Sequence, residues 1–171
     1  ENLLLKDCSL SLQLSNGEVG FSPRVKKAKT TLVDETVKRA VPMKNSEVRN
    51  HYNLLSLTMD DGYSVEFRVY DCGFAYRFIL NKEGEIEVLN ENFTVNFPAN
   101  YKAHISKTPR FKTSYEYRYT HTTTEEYGYR DEMIYLPALL EAPTGEKILI
   151  SEANLKDYPA MFFRSTGNNG L

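Results

Sequence analysis

An all-β fold, a sandwich of short antiparallel strands, is predicted by three features of this sequence. In the best-patterned segments apolar residues recur with period 2 rather than 3.6. Turn-forming residues interrupt those segments at short intervals. The chain also carries 12 Tyr and 9 Phe but no Trp, and aromatic side chains fit the pleated, half-buried surfaces of sheets.

The elements follow in order. In Ser9 to Leu14 the leucines 10, 12 and 14 fall on one face, and Asn16-Gly17 supplies a turn. Thr31 to Ala40 is the one segment with a helical reading, which its Thr and Val content opposes. From Tyr63 to Tyr70, Val65, Phe67 and Val69 alternate with Ser64, Glu66 and Arg68. Asp71-Cys72-Gly73 then punctuates, and Phe74 to Leu80 resumes with Tyr76 and Phe78 on one face. Asn81 to Gly84 is another turn, followed by Glu85 to Leu89 and by Phe93 to Phe97, which Pro98 stops. Tyr115 to Tyr119, Met133 to Leu140, Lys147 to Glu152 and Ala160 to Arg164 complete about nine short strands, the pattern of a sandwich or barrel. His121 to Gly128 reads as a long exposed loop, and Ser165 to Leu171 as the start of a connection to something further on.

The hairpin near Gly73 allows a register to be predicted. With Cys72 and Gly73 as the loop, Tyr70 faces Ala75, Val69 faces Tyr76 and Phe67 faces Phe78, so one side stays apolar. A three-residue loop would set Phe67 against Arg77 and mix the faces. The two-residue register places Arg68 opposite Arg77, which demands an anion such as Glu66 or a carboxylate from another strand.

Composition bounds the function. At 171 residues the chain suits one domain with a core of its own. Its 21 basic and 23 acidic residues are interspersed and sum to a net charge of −2, which gives no reason to expect nucleic acid or an acidic membrane as partner. No run approaches the roughly 18 apolar residues that span a bilayer. The sequence opens in Glu1-Asn2-Leu3 with no initiator Met and no signal peptide, and reads as a cut piece. Cys8 and Cys72 are too few for a disulfide framework; they read as buried or half-buried thiols, with a single disulfide as the alternative.

The usual catalytic constellations are absent. There is no Gly-rich phosphate loop, no His-Glu-x-x-His, no Gly-x-Ser-x-Gly elbow and no helix-loop-helix calcium loop. His51, His104 and His121 are scattered and read as ordinary surface or hydrogen-bonded histidines. No pair among the 23 acidic residues stands out for glycosidic acid–base work, so no catalytic or substrate-binding residue is assigned. One carboxylate does stand out. Glu152 shares a strand face with Ile148 and Ile150. A glutamate continuing an apolar face either emerges into solvent or is held by a cation or by hydrogen-bond donors, because burying it uncompensated is prohibitive.

Three blocks taken together carry a resemblance: Asn50-His51-Tyr52-Asn53, the hairpin Val65 to Phe78, and Ile150-Ser151-Glu152-Ala153-Asn154-Leu155-Lys156-Asp157-Tyr158-Pro159. With Ser114-Tyr115-Glu116 and the Leu136-Pro137 strand, their order and spacing resemble the N-terminal domain of glycoside hydrolase family 97 from about Leu10 onward. The resemblance implies a galactose-mutarotase-like β-super-sandwich spanning residues 1–171 as a single domain. Downstream it implies a catalytic (β/α)₈ barrel and a small β domain, in a periplasmic α-glucosidase or α-galactosidase of Bacteroidota-type bacteria. It implies a calcium ion at the barrel's carboxylates, with Glu152 matching the glutamate that this domain donates to it. The barrel and an oligosaccharide substrate are then the partners, and this chain alone is inactive. Leu54 and Cys72 depart from the family pattern, which points to a divergent member, and the family's opening hairpin is expected upstream of Glu1.

Two other readings compete with this one. An autonomous carbohydrate-binding module would line a groove with exposed aromatics, for which Tyr115, Tyr117, Tyr119, Tyr127 and Tyr129 are candidates, although the plainer account is that these tyrosines alternate as sandwich core and pocket wall. A purely structural sandwich that docks on a partner domain is the third.

Overall fold

The computed structural model describes residues 2–41, 43–128 and 131–171. Twelve strands follow one another among the described residues, with no helix between them. They are β1 (Lys6–Leu14), β2 (Gly17–Val19), β3 (Val25–Lys38), β4 (Glu47–Met59), β5 (Tyr63–Tyr70), β6 (Gly73–Leu80), β7 (Val88–Asn96), β8 (Lys102–Thr108), β9 (Tyr119–Thr123), β10 (Met133–Glu141), β11 (Lys147–Ile150) and β12 (Phe162–Phe163). One sheet has the order β2-β1-β7, a second β3-β4-β5-β6, and a third β11-β10-β8-β9 with β12 also on β10. The registered pairs are antiparallel throughout. The predicted all-β architecture is therefore the one adopted.

The chain divides into two compact units, Ser11–Glu91 and Glu1–Leu10 with Asn92–Leu171. In the first, β3 and β4 form a long hairpin from Val25 opposite Met59 to Lys38 opposite Glu47, with one bulge near Lys26. The segment with the helical reading is thus strand as far as Lys38, as its β-branched Thr31, Val33, Thr36 and Val37 favour. Strand β4 has apolar residues on both faces, Tyr52 and Leu54 on one and Leu55, Leu57 and Met59 on the other. That blurs its period, and no strand was predicted there.

The β5–β6 register corrects the predicted one. Tyr70 pairs with Gly73, so the loop is Asp71-Cys72, and Val65, Phe67 and Glu66 face Phe78, Tyr76 and Arg77. The predicted and observed registers differ by two residues, which keeps every side chain on its face. Apolar patterning cannot tell them apart; charge can. The observed register sets Arg77 against Glu66, with Nε–Oε2 at 2.8 Å, and Arg68 against Ala75. Arg68 and Arg77 do share a face, diagonally, but they do not share a carboxylate. The Arg68 guanidinium instead lies 4.9 Å from the centroid of the Tyr52 ring.

The core of the second unit gathers Val95, Phe97, Tyr101, Ala103, Ile105, Tyr127, Ile134, Ala138, Leu140 and Phe163. Four sequence expectations are revised here. Glu85–Glu87 is not strand, and β7 runs unbroken through Phe93. Tyr115 to Arg118 is irregular, the strand beginning only at Tyr119. His121 to Gly128 is not a long exposed loop, because His121–Thr123 ends β9 while Thr124 and Tyr127 are buried. The tail Ser165 to Leu171 is no loose connection. The Val95 amide donates to the Leu171 carbonyl at 2.9 Å and the Leu171 amide donates back at 2.8 Å, with Gly170 and Leu171 buried.

Candidate functional site

Glu152 owes its position to an interruption of the sheet. One edge of β10 pairs with β11 from Ala138↔Ile150 to Glu141↔Lys147 and, further along, with β12 through Ile134↔Phe163 and Tyr135↔Phe162. Between these ladders lie Leu136 and Pro137, joined by a cis peptide; Pro137 has no N–H for a neighbouring strand. On its other edge β10 bulges against β8 between Tyr135 and Leu139. The chain accordingly leaves the edge after Ile150 and returns at Phe162. Ile148 and Ile150 pack on the core while Leu149 faces out, as the alternation predicts.

Glu152 lies two residues past the strand, half-buried, at the foot of this excursion. The Met161 backbone amide donates to its Oε1 at 2.8 Å, closing the excursion across nine residues. Of the two alternatives open for this carboxylate, it is held, and the donor is a backbone N–H. Beyond it the segment 153–160 is exposed, and Asn154 and Asp157 take the left-handed backbone that Asn and Asp tolerate best. A carboxylate oxygen suits a hard cation such as calcium, but six to eight oxygens are needed. Among the described residues no three His, Cys, Asp or Glu side chains converge on a metal position. The fit is therefore that of a single ligand.

The histidines are less scattered than the sequence suggests. His104 on β8 stands directly opposite His121 on β9, with the two Nδ1 atoms 2.6 Å apart and the rings tilted by 68°. His51 stands opposite Asp34 in the β3–β4 hairpin. No signal in the sequence joins His104 to His121, because β8 is not periodic enough to be predicted and the part of β9 that carries His121 reads as loop. Nearby, Lys102 and Lys147 lie 3.1 and 3.4 Å from Glu141. Hydrogen bonds from Lys102 first, then Lys147, hold the Glu141 carboxyl below its ordinary range.

Of the candidate groove aromatics, Tyr127 is buried, its hydroxyl donating to the Glu132 carbonyl, and burial pushes its phenol up to about 12. Tyr129 lies outside the described residues. Tyr115, Tyr117 and Tyr119 are exposed, and Phe111, 65% exposed, joins Tyr115 in an aromatic surface over Phe162. Tyr115 is anchored there in left-handed backbone. Its carbonyl accepts from Tyr135 Oη at 2.9 Å, its ring packs on Tyr135 and Phe162, and Phe111 packs edge-on against Phe162. Cys8 and Cys72 are both free and exposed, neither buried nor joined. Cys72 sits in the β5–β6 turn.

Comparison with known proteins agrees with this architecture. A retaining alpha-galactosidase of Bacteroides thetaiotaomicron is 30% identical over 179 residues, covering 98% of this chain and 27% of the relative. A glycoside hydrolase family 97 enzyme from Pseudoalteromonas sp. strain K8, solved with acarbose, superposes with a TM-score of 0.83 at 20% identity, over 98% of this chain and 26% of that one. A beta-arabinopyranosidase structure superposes with a TM-score of 0.75 at 21% identity, over 90% of this chain and 27% of its own. These likenesses establish the all-β sandwich fold, and the chain spans about a quarter of the length of the relatives it matches. The glycosyl-hydrolase 97 N-terminal family matches residues 1–171, so the chain belongs to that family of glycoside hydrolase N-terminal domains.

Proposed function

We propose that this chain is the N-terminal module of a calcium-dependent α-glycosidase, to which it lends the Glu152 carboxylate as one calcium ligand and part of the wall of the sugar pocket. The chemistry belongs to a downstream barrel, so the chain alone is inactive. The observation that supports this most is the placement of Glu152 past a strand end, oriented by the Met161 amide and flanked by an exposed segment. A carboxylate so held offers an oxygen to an ion whose other ligands come from elsewhere. When bound, the ion would supply a fixed positive field for the barrel's carboxylates. Glu152 contributes one negatively charged oxygen, and its hydrogen bond to Met161 limits the side chain's freedom.

The test is Glu152→Gln in the full-length enzyme. The change keeps the shape and removes the charge. It is expected to cut kcat severely and raise the calcium concentration needed for activity, while this chain's melting temperature barely moves. Wild-type activity of that variant at low calcium would remove Glu152 from the site. Hydrolysis of p-nitrophenyl α-glucoside or α-galactoside by the rigorously purified 171-residue chain would place the chemistry here instead. A periplasmic location follows from the family resemblance alone, and fractionation of the native cell tests it.

A second reading is favoured by the exposed aromatics Phe111, Tyr115, Tyr117 and Tyr119. Sugar rings stack on such side chains, and an autonomous carbohydrate-binding module would use them. Calorimetry of this chain with α-linked oligosaccharides separates the two: saturable heat that disappears in Tyr117→Ala supports the binding module, and no heat supports the accessory role.

A further inference from the structure

We propose that His104 and His121 form a two-point chelate for a borderline divalent transition-metal ion such as Zn²⁺ or Ni²⁺, a site different in chemistry from the calcium ligand proposed for Glu152. Imidazole nitrogen suits zinc, nickel and copper, whereas carboxylate and carbonyl oxygen suit calcium. The two histidines are direct cross-strand partners on β8 and β9, and their Nδ1 atoms converge to 2.6 Å. Two nitrogens bound to zinc at about 2.0–2.1 Å with a near-tetrahedral angle stand roughly 3.3 Å apart. The rings therefore need to part by only about 0.7 Å, a small rotation for side chains of which His121 is exposed and His104 half-buried.

The protonation chemistry is compatible with neutral ligands. At the observed separation one Nδ1 carries a proton and the other accepts it. For both to bind metal, the donor ring moves that proton to its own Nε2, a tautomer change that leaves both rings neutral. Water fills the remaining coordination positions. Leu139 flanks His104 on the β10 side, and the nearby Lys102 ammonium is engaged 3.1 Å from Glu141.

Such an ion would fasten β9, the edge strand of its sheet, to β8. His104 and His121 are 17 residues apart, and the intervening chain carries Phe111, Tyr115 and Tyr117. Metal binding at the feet of this segment would hold the exposed aromatic surface to the sheet beneath it.

The experiment titrates the tag-free chain with ZnCl₂ at about pH 7.5, where histidine is mostly neutral. It follows the imidazole nitrogens by ¹H–¹⁵N NMR and the melting temperature by circular dichroism. Zinc is expected to move the ring signals of His104 and His121 and to leave those of His51 in place. At about 100-fold excess of free ion over its Kd, the melting temperature is expected to rise by roughly 5–10 °C. His121→Ala loses the rise, His51→Ala keeps it, and CaCl₂ leaves the ring signals unmoved. Ring signals unchanged by millimolar zinc, an equal rise in His121→Ala, or an equal response to calcium would overturn the proposal. The ring signals are read on the parent chain, so that test stands even where a variant folds poorly.

Discussion

Replacing Gly170 by alanine probes the docking of the C-terminal tail, the part of the chain whose structure departs furthest from its sequence reading. A Cβ at this position would lie 2.2 Å from Asn96 Oδ1, 2.7 Å from Thr166 Oγ1 and 2.9 Å from the Val95 carbonyl oxygen. Side chains can yield, but Asn96 is tethered, its amide nitrogen donating to the Asp7 carbonyl at 2.9 Å. The Val95 oxygen is backbone and accepts from the Leu171 amide. Moving Asn96 sacrifices a hydrogen bond of about 1 kcal/mol, and forcing a methyl into a filled space costs about 1–3 kcal/mol more. The total, about 2–4 kcal/mol, corresponds to a fall in melting temperature of roughly 4–16 °C for a chain of this size. Gly73 is the matched control, since a Cβ there meets nothing within 4 Å and its backbone is not left-handed. Thermal melts by circular dichroism should separate the two variants clearly. Hydrogen exchange adds location, because the Val95 and Phe97 amides, bonded to Leu171 and Asn169, should lose protection in Gly170→Ala alone. A Gly170→Ala protein that melts within 2 °C of the parent, a shift of roughly 1 kcal/mol or less, would refute the tail's packing.

The remaining predictions concern titration and thiols. Burial, and secondarily Asp131, raises the Tyr127 phenol from 10.0 to about 12, so the folded state holds that proton more tightly than the unfolded chain does. Its contribution is complete below about pH 10 and lost as pH rises through about 12; the denaturant midpoint should fall across that window, and less steeply in Tyr127→Phe, an equal slope counting against the assignment. Cys8 and Cys72 are free and exposed, so a colorimetric thiol reagent should titrate both in the native chain without reductant, and a value near zero would mean that they pair or are shielded.

The fold was legible where one face is apolar and the other polar. The alternation in Tyr63 to Tyr70 and Phe74 to Leu80 locates β5 and β6 to within a residue. It fails for β4, apolar on both faces, and for β8, whose Lys102 to Thr108 offers only Ala103 and Ile105 to the core. The hairpin register illustrates a finer limit. Shifting the pairing by two residues preserves the faces, so the apolar pattern excludes the odd registers and leaves the even ones equal. The Glu66–Arg77 pair distinguishes between them, and a test of charge across each candidate register would have selected it. The tail defeated pattern reading for another reason. Its Gly and Asn residues look like linker, yet Leu171 exchanges backbone hydrogen bonds with Val95 on β7 and the Asn169 carbonyl accepts from Phe97 just beyond it, bonds that need no particular side chain.

The candidate site was legible as a residue type at a position, not as a geometry. Extending the Ile148–Ile150 face to Glu152 singles out that carboxylate for scrutiny but assumes that the strand continues, and it ends at Ile150. Past that point alternation says nothing about where a side chain aims. What aims it is the Met161 amide, and a backbone N–H leaves no trace in sequence. The same gap explains the histidines. His104 and His121 are 17 residues apart and become neighbours only through the β8–β9 register. Periodicity reveals which way a residue faces within its own strand, whereas ligands and hydrogen-bond partners converge across strands. A site assembled by an interrupted edge or a cross-strand pair must therefore be read from the fold, and the residues nominated by sequence are the places to begin.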